Sequence, residues 1–305
     1  MKLSQLLKLR QDLLSIDTSN IKSMAKILRV NTEPVDYLSY DGSDIRNAVA
    51  QLEPSIDKIP AHISSLINKI SLDIEKLDIE YKELCKQEEV FHLRASVQDN
   101  RELRKYIMHA EVRKVVEARL ANYIDWKYPG LEIGPGDSEW TDLLVGMDPL
   151  YLVDIHEEFL NGTKARYQIE YQRRLRTYKI KHGDLSELPI GQFGFVFSWN
   201  VFNYFGLETI ELYLTEIKRL LKPGGVVMFS YNNCENYKSV EMFENHFMTY
   251  VPNRDLVKIV QRLGYNIIVS KDEPTMTSWM EIKLPGELTS IRAGQTLGKI
   301  KVVGH

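Results

Sequence analysis

The stretch LEIGPGDSEW, residues 131–140, sets Glu132, Gly134 and Gly136 directly after a short apolar run. Paired glycines just after a strand serve a tight turn and a close approach of backbone to ligand. Three ligand chemistries compete for such a loop. A dinucleotide pyrophosphate needs Gly-x-Gly-x-x-Gly, but position 139 is Glu, and Asp137 and Glu139 would repel the phosphates. A nucleotide-hydrolase phosphate loop needs a Lys followed by Ser or Thr, and none follows. The acidic loop instead suits a cationic or neutral polar ligand.

More chemistry-bearing residues close the later apolar runs. LYLVDI ends on Asp154 and Ile155, and KHGDLSELP carries Asp184 and Leu185. FGFVFSWNVFNYF reaches Ser198, Trp199 and Asn200 and continues through Asn203 and Tyr204. GGVVMFSYNN delivers Tyr231, Asn232 and Asn233, and a long connection with His246 and Tyr250 follows.

In this order and spacing the elements resemble the class I S-adenosylmethionine-dependent methyltransferases. Their first motif, acidic-x-Gly-x-Gly-x-Gly, is matched by Glu132, Gly134 and Gly136, with Ser138 in place of the third glycine. Serine is small and can cap the next helix. The turn in EIKRLLKPGGVVMFSYNN, Lys-Pro-Gly-Gly, is also similar to the family's. The resemblance covers about residues 101–305 and leaves residues 1–100 without a counterpart. It implies S-adenosylmethionine as cofactor and S-adenosylhomocysteine as product. It implies a loop of Glu132, Gly134, Pro135, Gly136 and Asp137 around the cofactor. Asp154 would accept from both ribose hydroxyls, and Ile155 would pack on the adenine. Asp184 would contact the adenine amine, and Leu185 would offer its backbone amide. Ser198, Trp199 and Asn200 would complete the cofactor site at the end of the fourth strand.

Methyl transfer is an in-line displacement on an already activated carbon, so alignment is the main demand. A base is needed only if the acceptor must lose a proton. The acceptor is expected beside Asn203, Tyr204, Tyr231, Asn232 and Asn233, with His246 and Tyr250 as the catalytic candidates. His156 is a second base candidate, set back by its place beside the ribose site. SWNVFNYF lacks the Pro-Pro-Tyr of many amino-methylating enzymes, which argues against DNA as the acceptor. It resembles the pattern of many small-molecule, sugar and lipid methyltransferases. The expected acceptor is therefore a small molecule or carbohydrate, methylated at oxygen. The rivals are a protein or nucleic-acid methyltransferase with a helical adaptor, and a non-catalytic methyltransferase-like scaffold. No metal-ligand spacing occurs, and none is expected.

These residues need a scaffold. Six short apolar runs alternate with helical stretches after residue 125, which predicts an α/β fold. The expected architecture is a seven-stranded, mostly parallel Rossmann-like methyltransferase sheet with helices on both faces. Before it, residues 1 to about 125 read as helix, giving an all-α, partly coiled-coil-like N-terminal region. The expected domains are 1–100 and 101–305. Ile63, Ile67, Ile70, Ile74, Leu77, Tyr81, Leu84 and Phe91 follow a heptad spacing, with Glu88 its polar member. That stripe fits a hairpin onto the helix of Leu6, Leu7, Leu13 and Leu14, or a homo-oligomeric coiled coil. The run from Lys164 to Lys181 reads as a solvated basic face. A net charge of −3 gives no field that favours nucleic acid or an anionic membrane. The two cysteines make no redox pair, and no leader or membrane-length apolar run occurs, so a cytoplasmic protein is expected.

Overall fold

Runs of branched and aromatic residues bounded by Gly, Pro or Asp become seven strands. They are β1 (Gly130–Ile133), β2 (Leu150–Asp154), β3 (Leu175–Lys179), β4 (Phe193–Ser198), β5 (Leu221–Tyr231), β6 (Asn266–Lys271) and β7 (Ser278–Lys283). The computed structural model describes residues 2–21, 43–97, 110–136, 138–272 and 278–288. It comprises two compact units, Met1–Tyr81 and Lys82–His305.

In the second unit the strands form one sheet in the order β3-β2-β1-β4-β5-β7-β6. Strands β1 to β5 pair in parallel. β7 runs antiparallel to β5 and β6. The chain steps outward from β1 to β2 and β3, then crosses back to place β4 on the other side of β1. That reversal makes a crevice at the carboxyl ends of β1 and β4, where sheets of this kind hold ligands.

The helices of this unit are α3 (Ala110–Ala121), α4 (Thr141–Leu144), α5 (Glu157–Ala165), α6 (Ile169–Gln172), α7 (Leu207–Leu220), α8 (Tyr237–Glu244) and α9 (Asn253–Arg262). Alternation along the strands feeds two apolar layers. Ile133, Val153, Val196 and Phe229 meet α7 and α9 through Ile210, Leu214, Ile217, Leu256 and Val260. Leu152, Phe195, Phe197 and Met228 meet α3, α4 and α5 through Val116, Leu120, Leu144 and Leu160.

α3 is fastened to the sheet by charge as well. Arg119 donates to the buried Glu281 of β7 at 2.9 and 2.5 Å, and Tyr123 and Trp279 donate to the same carboxylate. Burial alone would raise the Glu281 pKa, but these donors together hold it below its ordinary value.

The Lys-Pro-Gly-Gly segment lies inside β5, where the pairing with β4 jumps from Leu221–Phe193 to Val226–Phe195. Gly224 has φ 79, and a Cβ there would come within 2.5 Å of the backbone nitrogen of Leu288. Residues 101–109, within the stretch that reads as helix up to about 125, lie outside the described residues.

The first unit holds α1 (Leu3–Leu14) and the beginning of α2 (Ser43–Val97). On α1, Leu3 and Leu6 are buried, while Leu14 stays 60% exposed. On α2 the stripe is graded: Ile70 is buried, Ile63, Ile67, Ile74, Leu77 and Tyr81 are half-buried, and Leu84 is exposed. The side chains of Glu88 and Phe91 lie outside the described residues. Among the described residues, no helix is long and apolar enough to cross a membrane.

Candidate active site

The crevice at the switch point opens into a cleft of about 1010 Å³, counting its mouth. β1 supplies one wall through Ile133, Gly134, Pro135 and Gly136, followed by Glu139 and Trp140. Gly134 and Gly136 have φ 71 and 50, in the left-handed region that glycine enters freely. A Cβ on Gly134 would meet Val201 Cγ2 at 2.4 Å. Ser138 takes φ 65 without that freedom, and its hydroxyl donates to Thr163 Oγ1 at 2.5 Å. Arg113 of α3 pairs with Glu139 and lies 5.1 Å from the Trp140 ring centroid.

β2 supplies Asp154, 9% exposed, with Ile155, His156 and Phe159 beyond it. His156 N–H donates to Asp154 Oδ1 at 2.8 Å. Burial raises the Asp154 pKa against that hydrogen bond. β4 ends in Trp199, Asn200, Val201 and Tyr204, which line the far wall. Trp199 packs on Trp140 at 5.3 Å and on Trp279 at 6.2 Å. Ile180, Phe205 and Tyr213 close the floor.

Three polar side-chain atoms of this lining find no hydrogen-bond partner among the described residues: His156 Nε2, Trp199 Nε1 and Asn200 Oδ1. Buried polar atoms left unpaired are costly, so together they mark a place for a polar ligand. Among the described residues the lining has the carboxylates of Asp154 and Glu139 but no Lys or Arg. The donor set fits S-adenosylmethionine: an acid able to accept from a diol, unpaired polar atoms, a glycine cradle and, among the described residues, no Lys or Arg in the lining for a phosphate.

Of the residues singled out in the sequence, the fold gathers Gly134, Pro135, Gly136, Asp154, Ile155, Trp199, Asn200 and Tyr204 around this cleft. Others lie elsewhere, for identifiable reasons. Glu132 is enclosed behind β1 and accepts from Thr141 Oγ1 at 2.7 Å. Ser198 is buried, donating to the Ile133 carbonyl. Asp184 is exposed outside the lining, where it accepts from the Ser186 amide and hydroxyl group, and Leu185 is core. Asp137 lies outside the described residues.

Apart from Tyr204, the acceptor candidates are absorbed by packing. Tyr231 donates to Asn253 Oδ1 at 2.7 Å. Asn232 donates to the carbonyls of Ser239 and Thr249, and Asn233 accepts from the Glu235 amide. Asn203 is buried beneath the cleft. Tyr250 is buried against Phe243 at 5.4 Å, and His246 is exposed at φ 60. Neither stands in the cleft lining, so the catalytic pair expected from the sequence is not assembled there. Sequence reading missed Trp140, Phe159, Ile180 and Tyr213. Trp140 follows the glycine loop closely and could have been found. Tyr213 sits on α7, and only the packing of that helix brings it in.

Comparison with known proteins fits this geometry. Residues 131–229 match the family model described as a methyltransferase domain. That segment runs from β1 through β5 and contains the glycine loop, Asp154 and the end of β4. By that match residues 131–229 are a methyltransferase domain. No curated protein matches the sequence. Among solved structures, it is similar to a SAM dependent methyltransferase from Aquifex aeolicus, with 15% identity, 55% of this chain and 88% of that chain covered, and a TM-score of 0.44. It is also similar to a complex of the Haloferax volcanii Trm112 methyltransferase activator and a putative methyltransferase, with 16% identity, coverage of 57% and 89%, and a TM-score of 0.48. The family match and the cleft carry the assignment.

Proposed function

We propose that this methyltransferase transfers the methyl group to an oxygen of a small hydroxylated or carbohydrate-like acceptor. The observation that carries the reading is the charge of the cleft: the carboxylate of Asp154, a Glu139 paired with Arg113 and, among the described residues, no Lys or Arg in its lining. Such a lining favours a cationic cofactor and offers an anionic acceptor no counter-ion. The segment SWNVFNYF supports oxygen over an exocyclic amine, since it lacks Pro-Pro-Tyr.

In this reading Asp154 accepts from the ribose hydroxyls and Ile155 packs on the adenine. Gly134 and Gly136 let the backbone approach the ligand, and Trp199 and Asn200 bring one donor and one acceptor to its other end. When bound, the cofactor supplies a sulfonium-activated methyl group for in-line displacement. The chain's own contribution is alignment, with Trp140, Trp199 and Tyr204 walling the cleft against water. His246 and Tyr250 receive no proton-transfer role. The division at about residue 100 is part of the same proposal: residues 1–100, helical in their described part, would serve as an accessory region to a methyltransferase domain over 101–305.

Calorimetric titration of S-adenosylmethionine against wild type and Asp154→Ala tests the cofactor half of this reading. Loss of a charged hydrogen-bond pair, about 1.5–3 kcal/mol, should weaken binding at least about tenfold. A screen of hydroxylated small molecules and polymers for methyl transfer tests the acceptor half. Transfer to protein or nucleic acid with none to small acceptors would overturn it.

A further inference from the structure

The residue at the end of β4 is held in an unusual way. Asn200 has φ 56, which a side-chain-bearing residue enters at a cost, Asn less than others. Its N–H donates to Ser230 Oγ on β5 at 2.7 Å. Ser230 spends its single hydroxyl proton on Asn203 Oδ1, also at 2.7 Å. Asn203 is fixed in turn, because its carbonyl accepts from the Thr249 amide at 2.9 Å and from the Thr249 hydroxyl at 3.0 Å. Ser230, Asn203 and Thr249 are fully buried.

Two costs therefore meet at Asn200: a left-handed backbone and a buried Oδ1 with no partner among the described residues. A relay of buried hydrogen bonds holds the backbone N–H of the residue that carries both. Strain held this way in a ligand cleft points to preorganisation of the side chain it carries.

The sheet order says which part of the ligand it faces. β2 and β4 flank β1 on opposite sides, so Asp154 and Asn200 lie across the glycine loop from one another. A cofactor with its ribose at Asp154 extends over Gly134 toward Asn200, and its far end is the amino-acid head. An amide oxygen there is an acceptor for the ammonium group.

We propose that Ser230 and Asn203 are positioning residues that hold the Asn200 carboxamide oxygen toward the ammonium of the cofactor's amino-acid head. The proposal rests on the cofactor site described above. A structural role alone would affect every ligand of the cleft, so the test compares ligands with and without the head. S-adenosylmethionine, S-adenosylhomocysteine and 5′-methylthioadenosine, which lacks the amino acid, are titrated calorimetrically against wild type, Ser230→Ala, Asn200→Gly and the double variant.

Glycine keeps the backbone conformation and removes the carboxamide, so Asn200→Gly tests the side chain without disturbing the loop. Ser230→Ala should weaken the first two ligands about five- to tenfold and 5′-methylthioadenosine less than about twofold. Asn200→Gly should do the same, and the double variant should be no worse than Asn200→Gly alone. Unchanged binding in Ser230→Ala overturns the proposal. So does equal weakening of all three ligands, or additive losses in the double variant. Wild type that binds none of the three overturns the cofactor site itself.

Discussion

Glu132 matches the motif beside the glycines yet is enclosed in the fold rather than set in the cleft lining. Its position beside the glycines was legible in the sequence, but its surroundings were not. Those depend on which face of β1 each side chain takes once the sheet is covered. The carboxyl is 2% exposed and takes a hydrogen bond from Thr141. Burial pushes its pKa from 4.5 up to about 8, with Asp142 and Asp154 adding to the rise and the Thr141 hydrogen bond opposing it. Between those values the folded chain holds a proton that the unfolded chain has released. Stability contributed at this site is therefore present below pH 4.5 and is lost as pH rises through about 8. Glu132→Gln keeps the shape and cannot titrate. From pH 5 to pH 8 wild type should lose roughly 2 kcal/mol or more relative to the variant, read from urea unfolding at both pH values. A difference that does not change with pH would sink this account. Asp184 makes the complementary point. It occupies the motif position but is exposed, and its carboxylate turns back onto Ser186.

The strands were the most legible elements, since most are short runs rich in branched and aromatic residues bounded by turn residues. The connection after β5 was less so. It reads as a long connection carrying the acceptor and catalytic candidates, yet Asn232, Asn203 and Thr249 pin it with buried hydrogen bonds. Side chains that could bind a ligand and side chains that tie down a loop are the same types, and only packing distinguishes them. Two variants test individual elements. Gly134→Ala forces a Cβ to within 2.4 Å of Val201 at φ 71. It should destabilise the fold by about 1–3 kcal/mol and, because Val201 lines the cleft, weaken cofactor binding as well. Thermal melts and titration read the two effects separately, and a binding constant within twofold of wild type would contradict the second. Arg119→Met removes the cation from a carboxylate that is 0% exposed. The arginine itself is about a third exposed, so water can partly replace it, and the expected loss is about 2–3 kcal/mol in urea unfolding. The double variant Arg119→Met with Glu281→Gln should recover part of that loss, because no unpaired charge then remains under α3.

At the scale of the whole molecule, the question left by the sequence is what the heptads of α2 are for. A hairpin and a coiled-coil dimer demand the same spacing, so spacing could not decide between them. The residues beside the seam are more informative. Ser64, Ser71, Asp78 and Cys85 flank one side of it, and Leu66, Asp73 and Glu80 flank the other. Coiled coils choose partners through charges at these positions, and here three are acidic and none is basic. A parallel copy would set Asp73 against Asp78, and an antiparallel copy would set acid against acid along the same flank. Neither alignment yields an attractive pair, so α2 is poorly matched to itself and better matched to a basic surface. The chain should therefore sediment as a 35.4 kDa monomer at micromolar concentration in moderate salt. Asp73→Lys with Glu80→Lys would replace two acidic flanking residues with basic ones, and should shift the protein toward a dimer that high salt dissociates. A wild-type dimer that high salt strengthens would also mean self-pairing, with the apolar seam outweighing its acidic flanks, and would overturn the monomer assignment.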